Sequence, residues 1–427
     1  MALPVPNGYE PLDESGVRRW LATAPNLAAR LGGRPEDWRI SEVSDGNLNV
    51  VYTVTGLAGG LCVKQSLPYV RVAGESWPMP LNRAYFEQLH FGATGAHVDG
   101  LAPRLYHYDP QRYAIAMELL PTHLILRRGL VDGRRYSQAV ERVAEFAARS
   151  TFATSVFAQP FEQVNARLAA FAGNLALTRI TVDLIFTHPY VVNERNRWTA
   201  PQLDATVQGI RDDAELKAAA ARLGHRFLTK HEALLHGDLH TGSVMVNDTD
   251  TRVIDAEFAI YGPIGFDLGL FIGNLLTAYF SFPGHAGTAA AQPAHGEWLL
   301  GELEVFWQTF RRHFEAQWRA VRVGDGFPSA LFSSHTDESA FALERERWFE
   351  ELRLDTLGFA GAEIIRRIVG YAHNLEFESI SDAGVRARLE RRALGLGRHL
   401  VVAPSEFRDF GALAAAARQL ATAAETP

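Results

Sequence analysis

The stretch that decides the fold is His236-Gly-Asp-Leu-His-Thr-Gly-Ser-Val-Met-Val246, followed closely by Val253-Ile-Asp-Ala-Glu-Phe258. In phosphoryl transfer, one acidic residue on a rigid loop faces the acceptor hydroxyl, and a second one holds magnesium on the nucleotide phosphates. Asp238 and Asp255 fit these two roles, because the chain between them is patterned as loop, strand, turn and strand and can return the second carboxylate to the first. The pattern predicts a site for phosphoryl transfer.

This layout of catalytic loop and metal loop is typical of the protein-kinase-like fold, and two positions vary it. Protein kinases carry a metal-binding Asn five residues after the catalytic Asp, where this chain has Ser243. Two residues after Asp255, where protein kinases have glycine, the chain has Glu257, a carboxylate able to coordinate Mg²⁺. We therefore expect Asp255 and Glu257 to share the metal.

The pattern of apolar residues divides the chain into two parts. Strand-like runs at 50–55, 61–64, 104–108 and 113–118 and a helical run at 81–91 precede residue 119. Helical periodicity dominates afterwards, at 136–152, 163–175, 213–232, 297–314 and 341–352, with short β-type runs at 244–246 and 252–255. These patterns predict an α+β, bilobal protein-kinase-like fold. Residues 1–118 would form a mainly antiparallel β lobe that binds nucleotide, and 119–427 a larger, mainly helical lobe.

Lysine is rare in this chain, since only three of its 42 basic residues are lysines. A lysine kept against such a bias indicates a need for a compact ammonium that a planar guanidinium cannot replace. Lys64 ends an alternating strand at the spacing expected for the lysine that pairs with nucleotide phosphates. Its expected helix partner is Glu87, with Glu75 as the alternative.

Six segments together resemble the 5-methylthioribose kinases of methionine salvage, which are aminoglycoside phosphotransferase-like enzymes. They are His236–Val246, Asp255–Asp267, Asp45–Asn49, Val63–Gln65, Gly74–Pro78 and the pair Arg366-Arg367. The catalytic loop alone would indicate only a small-molecule kinase of the aminoglycoside phosphotransferase type, whereas the combination is more selective. The resemblance spans about residues 45 to 373.

The resemblance implies an ATP- and Mg²⁺-dependent kinase that phosphorylates the 1-hydroxyl of 5-methylthioribose, and it implies a homodimer. In that assignment Asp238 binds and deprotonates the acceptor hydroxyl, while Lys64 binds nucleotide phosphate. Arg366 and Arg367 contact the sugar and stabilise charge on the transferring phosphoryl group. Asp255 and Glu257 hold the metal.

Five further residues receive assignments. The resemblance places Asn47 in a loop that covers the nucleotide phosphates; this loop lacks the G-x-G-x-x-G of protein kinases, so its Asn side chains could add donors. It places Trp77 near the sugar, with a packing role as the alternative. Glu118 lies at the expected junction of the lobes, where backbone groups read the adenine. His240, like His236, is expected to serve structural hydrogen bonds beside Asp238.

Composition excludes several classes of protein. The chain has 427 residues, a formal net charge of −7 and one cysteine, so we expect no nucleic-acid partner, no disulfide and a cytoplasmic setting. The first residues lack the pattern of a signal peptide. The apolar stretch 268–282 is shorter than a membrane span, so we expect a buried core helix and no membrane partner. The Ala-rich tail after Phe410 is either loop or helix.

Two alternatives stay open at this stage. A related kinase for 5-deoxyribose, or for another sugar or amino alcohol, fits the same motifs, because a pocket distinguishes such a small apolar difference by only ~1–3 kcal/mol. A nucleotide-binding protein without catalysis is the other class. The presence of Asp238, Asp255 and Lys64 argues against that class.

Overall fold

The computed structural model describes residues 6–43, 48–71, 74–285, 293–372 and 375–422. An antiparallel sheet dominates the N-terminal part and helices dominate the C-terminal part, which confirms the predicted α+β fold class. The division at residue 118 stays a prediction. The last strand of the N-terminal sheet ends at Glu118, and the next strand, at Leu124–Ile125, pairs within the C-terminal part.

The N-terminal lobe is built on a five-stranded sheet in the order β1-β2-β3-β7-β6. Its strands are β1 (Arg39–Glu42), β2 (Asn49–Thr55), β3 (Gly60–Ser66), β6 (Leu105–Asp109) and β7 (Ala114–Glu118). The predicted hairpin is the pair β2 and β3, in which Val51 lies opposite Lys64. A two-stranded sheet of β4 (Tyr69–Val70) and β5 (Gly74–Pro78) lies between β3 and the following helix in the chain.

Three helices complete this lobe: α1 (Glu14–Thr23), α2 (Pro25–Leu31) and α3 (Arg83–Thr94). Asp13 caps α1 by accepting a hydrogen bond from the backbone of Gly16. The predicted helix at 81–91 is α3, which buries Ala84 against Ile115 and Met117 of the sheet. This packing turns the face that carries Glu87 toward Lys64.

The C-terminal lobe is mainly helical. Its elements are β8 (Leu124–Ile125), α4 (Leu126–Val131), α5 (Ala139–Thr154), α6 (Phe161–Phe171), α7 (Leu175–Thr181), α8 (Asp204–Asp212), α9 (Ala214–Thr229), β9 (Ala233–Leu235), β10 (Val244–Val246), β11 (Thr251–Val253), β12 (Ile260–Gly262), α10 (Ile264–Ser281), α11 (Pro293–Ala320), α12 (His335–Val369), α13 (Leu375–Glu378), α14 (Ala383–Val402) and α15 (Phe410–Thr422). Strand β9 leads into the catalytic loop, and the hairpin β10–β11 separates that loop from the metal loop.

Helix α10 is the centre of this lobe, as predicted for the apolar stretch at 268–282. Every one of its residues is buried. The span Ile264–Gly284 has the length and composition to cross a membrane, but its apolar 18-residue window is 100% buried inside the protein, as a core helix is. Its contact with α12 is close, because a Cβ on Gly269 would lie 2.6 Å from the Cβ of Phe359. The pair α10–α12 is therefore the rigid support of the site.

The structure differs from the sequence pattern in two helical regions and decides a third that the sequence left open. The run at 163–175 is interrupted, because α6 ends at Phe171 and Asn174 precedes α7. The side chain of Asn174 instead donates to the carbonyls of Glu257 and Ala259, which stops the helix beside the metal loop. The run at 341–352 and the Arg366-Arg367 helix are one continuous helix, α12. The Ala-rich tail is helical, as α15.

Candidate active site

The catalytic loop is held by a buried carboxylate on the first turn of α10. Asp267 accepts hydrogen bonds from the backbone N–H of His236 (2.7 Å) and of Gly237 (3.0 Å). Gly237 has φ +84°, and a Cβ there would lie 2.2 Å from the carbonyl oxygen of Phe258. Only glycine fits this turn, because it combines a left-handed backbone with a close approach to the metal loop. The loop is thereby rigid at the position of Asp238.

Asp238 lies between a histidine and an arginine. Its Oδ2 is 3.2 Å from Nε2 of His240, and its Oδ1 is 3.3 Å from Nη2 of Arg366. Burial alone would raise the pKa of Asp238, but the contact with His240 and the charges of Arg366 and Arg367 outweigh it and hold the pKa well below its usual range. About a quarter of the side chain (26%) is exposed. The carboxylate is therefore ionised, open to a ligand and able to accept a proton.

Both histidines of the loop make structural hydrogen bonds. The Nε2 of His236 is 2.8 Å from the carbonyl of Ile254, and its Nδ1 accepts from the backbone N–H of Asp238. The Nδ1 of His240 accepts from the N–H of Gly242, so its Nε2 carries the hydrogen that faces Asp238. Burial lowers the pKa of His240 to about 4, which keeps the ring neutral at pH 7.

Ser243 supports the catalytic loop from within. Its hydroxyl donates to the backbone carbonyl of Asp238 at 2.8 Å. The side chain is buried, and this bond directs it toward the loop backbone. Where protein kinases have a metal-binding Asn, this residue therefore stabilises the loop that carries Asp238.

The metal loop is strained at Asp255. This residue has φ +74° and ψ +45°, a left-handed conformation that is uncommon outside glycine and tolerated best by Asn and Asp. Such strain persists where the surrounding structure enforces it, as it does in binding loops. The side chain is 47% exposed and forms an ion pair with the ammonium of Lys64. The second carboxylate predicted from sequence is thus presented to a ligand.

Lys64 connects the sheet to the metal loop. It is only 7% exposed, and its Nζ lies 2.8 Å from Glu87 on α3 and 3.9 Å from Glu257, besides its contact with Asp255. The structure therefore pairs Lys64 with Glu87, while the alternative partner Glu75 is exposed. Burial raises the pKa of Glu87 to about 7 despite the nearby ammonium.

Glu257 is enclosed more deeply than the sequence suggests. It is 2% exposed, and its Oε2 accepts from the Nδ2 of Asn49 at 2.9 Å and lies 3.4 Å from the Nε of Arg83. The side-chain amide of Asn49 thus donates to Glu257, and its oxygen accepts from Arg83. That amide is therefore not the free phosphate donor that we expected from the loop. Asn47 lies outside the described residues, so its assignment stays a prediction.

The arginine pair lies on the last turn of α12. Both guanidiniums are buried, and both contact Glu363, one turn earlier on the same helix. Arg366 also reaches Asp238, as described above. The structure thus brings Asp238 and Arg366 together, with Arg367 beside them.

Trp77 contacts the C-terminal lobe. The guanidinium of Arg195 lies 3.9 Å from the centre of its ring, and the ring of Tyr371 lies 5.3 Å away. Tyr371 follows Gly370, the residue that caps α12, so Trp77 approaches the end of the helix that carries the arginine pair. A cavity of about 220 Å³ opens at the same helix end, with Arg367, Ile368 and Gly370 in its wall.

Glu118 joins the two lobes through its side chain. Its carboxylate accepts from the backbone N–H of Arg104 at 3.1 Å and lies 3.4 Å from Nη1 of Arg252 on β11. Its own N–H donates to the carbonyl of Arg104. Because the N–H of Glu118 already has a partner, a contact of this residue with adenine would use its backbone carbonyl. That contact remains a prediction.

Known proteins resemble this chain over nearly its whole length. Residues 39–306 match the model of the phosphotransferase enzyme family, a match that includes both loops. Methylthioribose kinase 1 of Oryza sativa subsp. japonica is 41% identical over 409 residues, which cover 95% of this chain and 94% of that protein. Methylthioribose kinase of Escherichia coli O45:K1 is 40% identical over 415 residues, covering 97% and 99%. The chain belongs to the methylthioribose kinase family.

Two solved structures are examples of a distant likeness to this methylthioribose kinase family member. A choline/ethanolamine kinase family protein from Mesorhizobium loti is 14% identical, with a TM-score of 0.38 over 95% of this chain and 99% of that one. An ethanolamine kinase from Plasmodium vivax is 10% identical, with a TM-score of 0.43 over 88% and 89%.

The sequence analysis assigned no role to four residues that lie in or beside this site of the methylthioribose kinase family member. They are Arg83, Asp267, Asn274 and Glu363. A polar residue inside an otherwise apolar helix needs a hydrogen-bond partner, so Asn274 in α10 was a usable signal. Asp267 stands on the same helix, at the end of a run already assigned to the family. Arg83 and Glu363 gave no such signal, because charged residues on helices are usually solvated.

The metal loop carries two carboxylates of the kind that Mg²⁺ takes, the exposed Asp255 and the buried Glu257. Among the described residues, no three His, Cys, Asp or Glu side chains are grouped as a ready-made metal site. Mg²⁺ at nucleotide sites takes one or two carboxylates and completes its shell with phosphate oxygens and water. Asp255 and Glu257 supply two carboxylates that already share the ammonium of Lys64. The two carboxylates thus already contact a positively charged group, the ammonium of Lys64.

Replacing Lys64 with Arg is expected to raise the KM for ATP at least about tenfold, because a planar guanidinium cannot replace a compact ammonium among three carboxylates. The matched control is Lys230→Arg, since Lys230 pairs with Glu232 and Asp355 at a more exposed position. Steady-state kinetics with varied ATP measure both variants. Equal KM values for Lys64→Arg and Lys230→Arg would show that the site does not need lysine.

Proposed function

We propose that the protein transfers the γ-phosphate of ATP to the 1-hydroxyl of 5-methylthioribose and so forms 5-methylthioribose 1-phosphate in methionine salvage. One observation supports the chemistry. Asp238 lies on the anchored catalytic loop, is ionised and partly exposed, and is 3.3 Å from Arg366 of α12. Family membership supplies the substrate, since relatives about 40% identical over nearly the whole chain are named methylthioribose kinases.

In this proposal Asp238 orients the sugar hydroxyl and accepts its proton. A carboxylate with a low pKa suffices, because phosphoryl transfer has a loose transition state and needs positioning more than strong basicity. Arg366, which contacts Asp238, would lie beside the acceptor oxygen, and Arg367 lines the adjoining cavity. Both cations are placed to stabilise charge on the transferring phosphoryl group.

Asp255 and Glu257 would hold Mg²⁺, which supplies charge neutralisation on the nucleotide phosphates when bound. Lys64 would exchange its contact with Asp255 for a phosphate oxygen while Glu87 keeps it in place. The exposure of Asp255 supports this exchange, because that carboxylate can turn to a ligand without leaving the protein surface.

The cavity at the end of α12 supports a small acceptor. Its volume of about 220 Å³ is that of a small molecule rather than a polypeptide, and Trp198 and Ile368 give it an apolar part among charged side chains. Trp77 stands beside Tyr371 at the same helix end and would cover the sugar from the N-terminal lobe. An apolar wall suits the methylthio group of the proposed substrate.

The decisive experiment measures ADP release with MgATP and 5-methylthioribose beside the same assay with 5-deoxyribose. Turnover that is much faster on 5-methylthioribose supports the proposal. Equal turnover on the two sugars would keep the mechanism and contradict the assignment of the substrate. ATP binding without turnover on either sugar would contradict the proposed reaction.

Assembly and location are proposed from the family alone. We propose a homodimer, for which light scattering should give about twice the 47.2 kDa of one chain. We propose a cytoplasmic location, where the single free thiol of Cys62 stays reduced.

A further inference from the structure

Glu363 is a buried carboxylate that contacts both arginines of the candidate sugar site. Its exposed fraction is 0%. The Oε2 accepts from the Nε of Arg366, and the Oε1 accepts from the Nε of Arg367 at 2.7 Å. The Oε1 is also 3.3 Å from Nη2 of Arg366. One side chain therefore sets the direction of both guanidiniums.

Asn274 ties this carboxylate to the catalytic loop. Its Nδ2 donates to the Oε1 of Glu363 at 2.8 Å. Its Oδ1 accepts from Nη2 of Arg127 at 2.8 Å and from the hydroxyl of Thr241 at 3.2 Å. Thr241 follows His240 in the loop that carries Asp238. Glu363 thus belongs to a network that spans α12, α10, α4 and the loop.

The charges around Glu363 explain why a carboxylate is required there. Burial would raise its pKa, but Arg366 and Arg367 lower the pKa to about 2, so the group is ionised at pH 7. Burial lowers the pKa of Arg367 to about 10, with further lowering from the neighbouring charges of Arg366 and Arg127, while Glu363 opposes the change. Without Glu363, the three cations Arg366, Arg367 and Arg127 would stand near one another with less negative charge to hold them.

We propose that Glu363 is a positioning residue. It fixes Arg366 and Arg367 in the orientation that receives the sugar and the phosphoryl group that ATP donates to it. The inference rests on the proposed function, because it assigns the arginine pair to the sugar. Pre-organisation of this kind lowers the ordering cost of each arginine when the substrate binds.

The test compares Glu363→Gln with Asp355→Asn. Asp355 is a matched control, since it is a buried carboxylate on the same helix that pairs with two cations, Arg226 and Lys230. We expect Glu363→Gln to raise the KM for 5-methylthioribose by about tenfold to a hundredfold, with the KM for ATP within about twofold, because a charged hydrogen bond to each arginine is lost. Asp355→Asn should lower the Tm and leave both KM values within about twofold.

A purely structural role would give the opposite pattern. If Glu363→Gln lowers the Tm as Asp355→Asn does and leaves the sugar KM unchanged, the inference is wrong. If Glu363→Gln does not fold, Asn274→Ala takes its place, because it removes the amide that holds Glu363 and keeps every charge. A sugar KM raised about threefold in Asn274→Ala supports the inference, and an unchanged one overturns it. Wild-type protein that leaves 5-methylthioribose untouched would overturn the proposed function instead.

Discussion

The Asp238→Asn variant is expected to turn over at least about a hundredfold more slowly than the wild type, the range in which loss of a general base falls. The amide keeps the shape of the carboxylate but cannot accept the proton of the acceptor hydroxyl. It also presents an N–H group to His240 or Arg366, which are donors themselves. ADP release at saturating MgATP and sugar measures the loss, and titration calorimetry with an ATP analogue should show unchanged nucleotide affinity.

Asp248→Asn is the control for this substitution. Asp248 is an exposed aspartate in the turn between β10 and β11, so the change removes the same charge from the hairpin that follows the catalytic loop without touching the site. Its kcat should stay within about twofold of the wild type, as expected for a surface position. Activity of Asp238→Asn within a factor of ten would contradict the role of Asp238 as the base.

The Asp255→Asn variant is expected to lose at least about a hundredfold in kcat/KM for MgATP, because a metal at the phosphates contributes several kcal/mol to the transition state. Asn is the appropriate replacement, since it tolerates the left-handed backbone of this position and keeps the loop folded. Activity measured against Mg²⁺ concentration should need more magnesium than the wild type for half-maximal rate.

The magnesium curve separates the two carboxylates. Asp238→Asn should keep the wild-type magnesium requirement, since its carboxylate faces the sugar arginine rather than Lys64. Asp255→Asn should change both the requirement and the affinity for the nucleotide. A wild-type magnesium curve for Asp255→Asn would show that another group holds the metal.

Local patterns made the fold and part of the site predictable. The hairpin of β2 and β3, the buried α10 and the loops with Asp238 and Asp255 depend on neighbours within a few residues, which sequence periodicity records. Lys64 was predictable because the chain otherwise prefers arginine. Its partner on α3 followed from the helix that packs beneath the sheet.

Residues whose meaning depends on distant partners were not predictable in this way. Glu363 looks like a solvated helix residue until α10 places Asn274 against it. Asn49 looks like a free donor until Glu257 arrives from far along the chain. The full length of α12 was hidden by its many charged residues, which pair with neighbours at the surface and blur the apolar stripe.

The packing of α10 also has a consequence for the synthesis of the chain. Every residue of α10 is buried, and its main cover, α12, begins only at residue 335. The ribosome therefore releases a mainly apolar helix well before the partner that shields it has been made. Until then the nascent chain exposes an apolar surface. A chain that ends before α12 would keep that surface exposed and aggregate. The helix that makes the finished enzyme rigid is thus its point of greatest risk during translation.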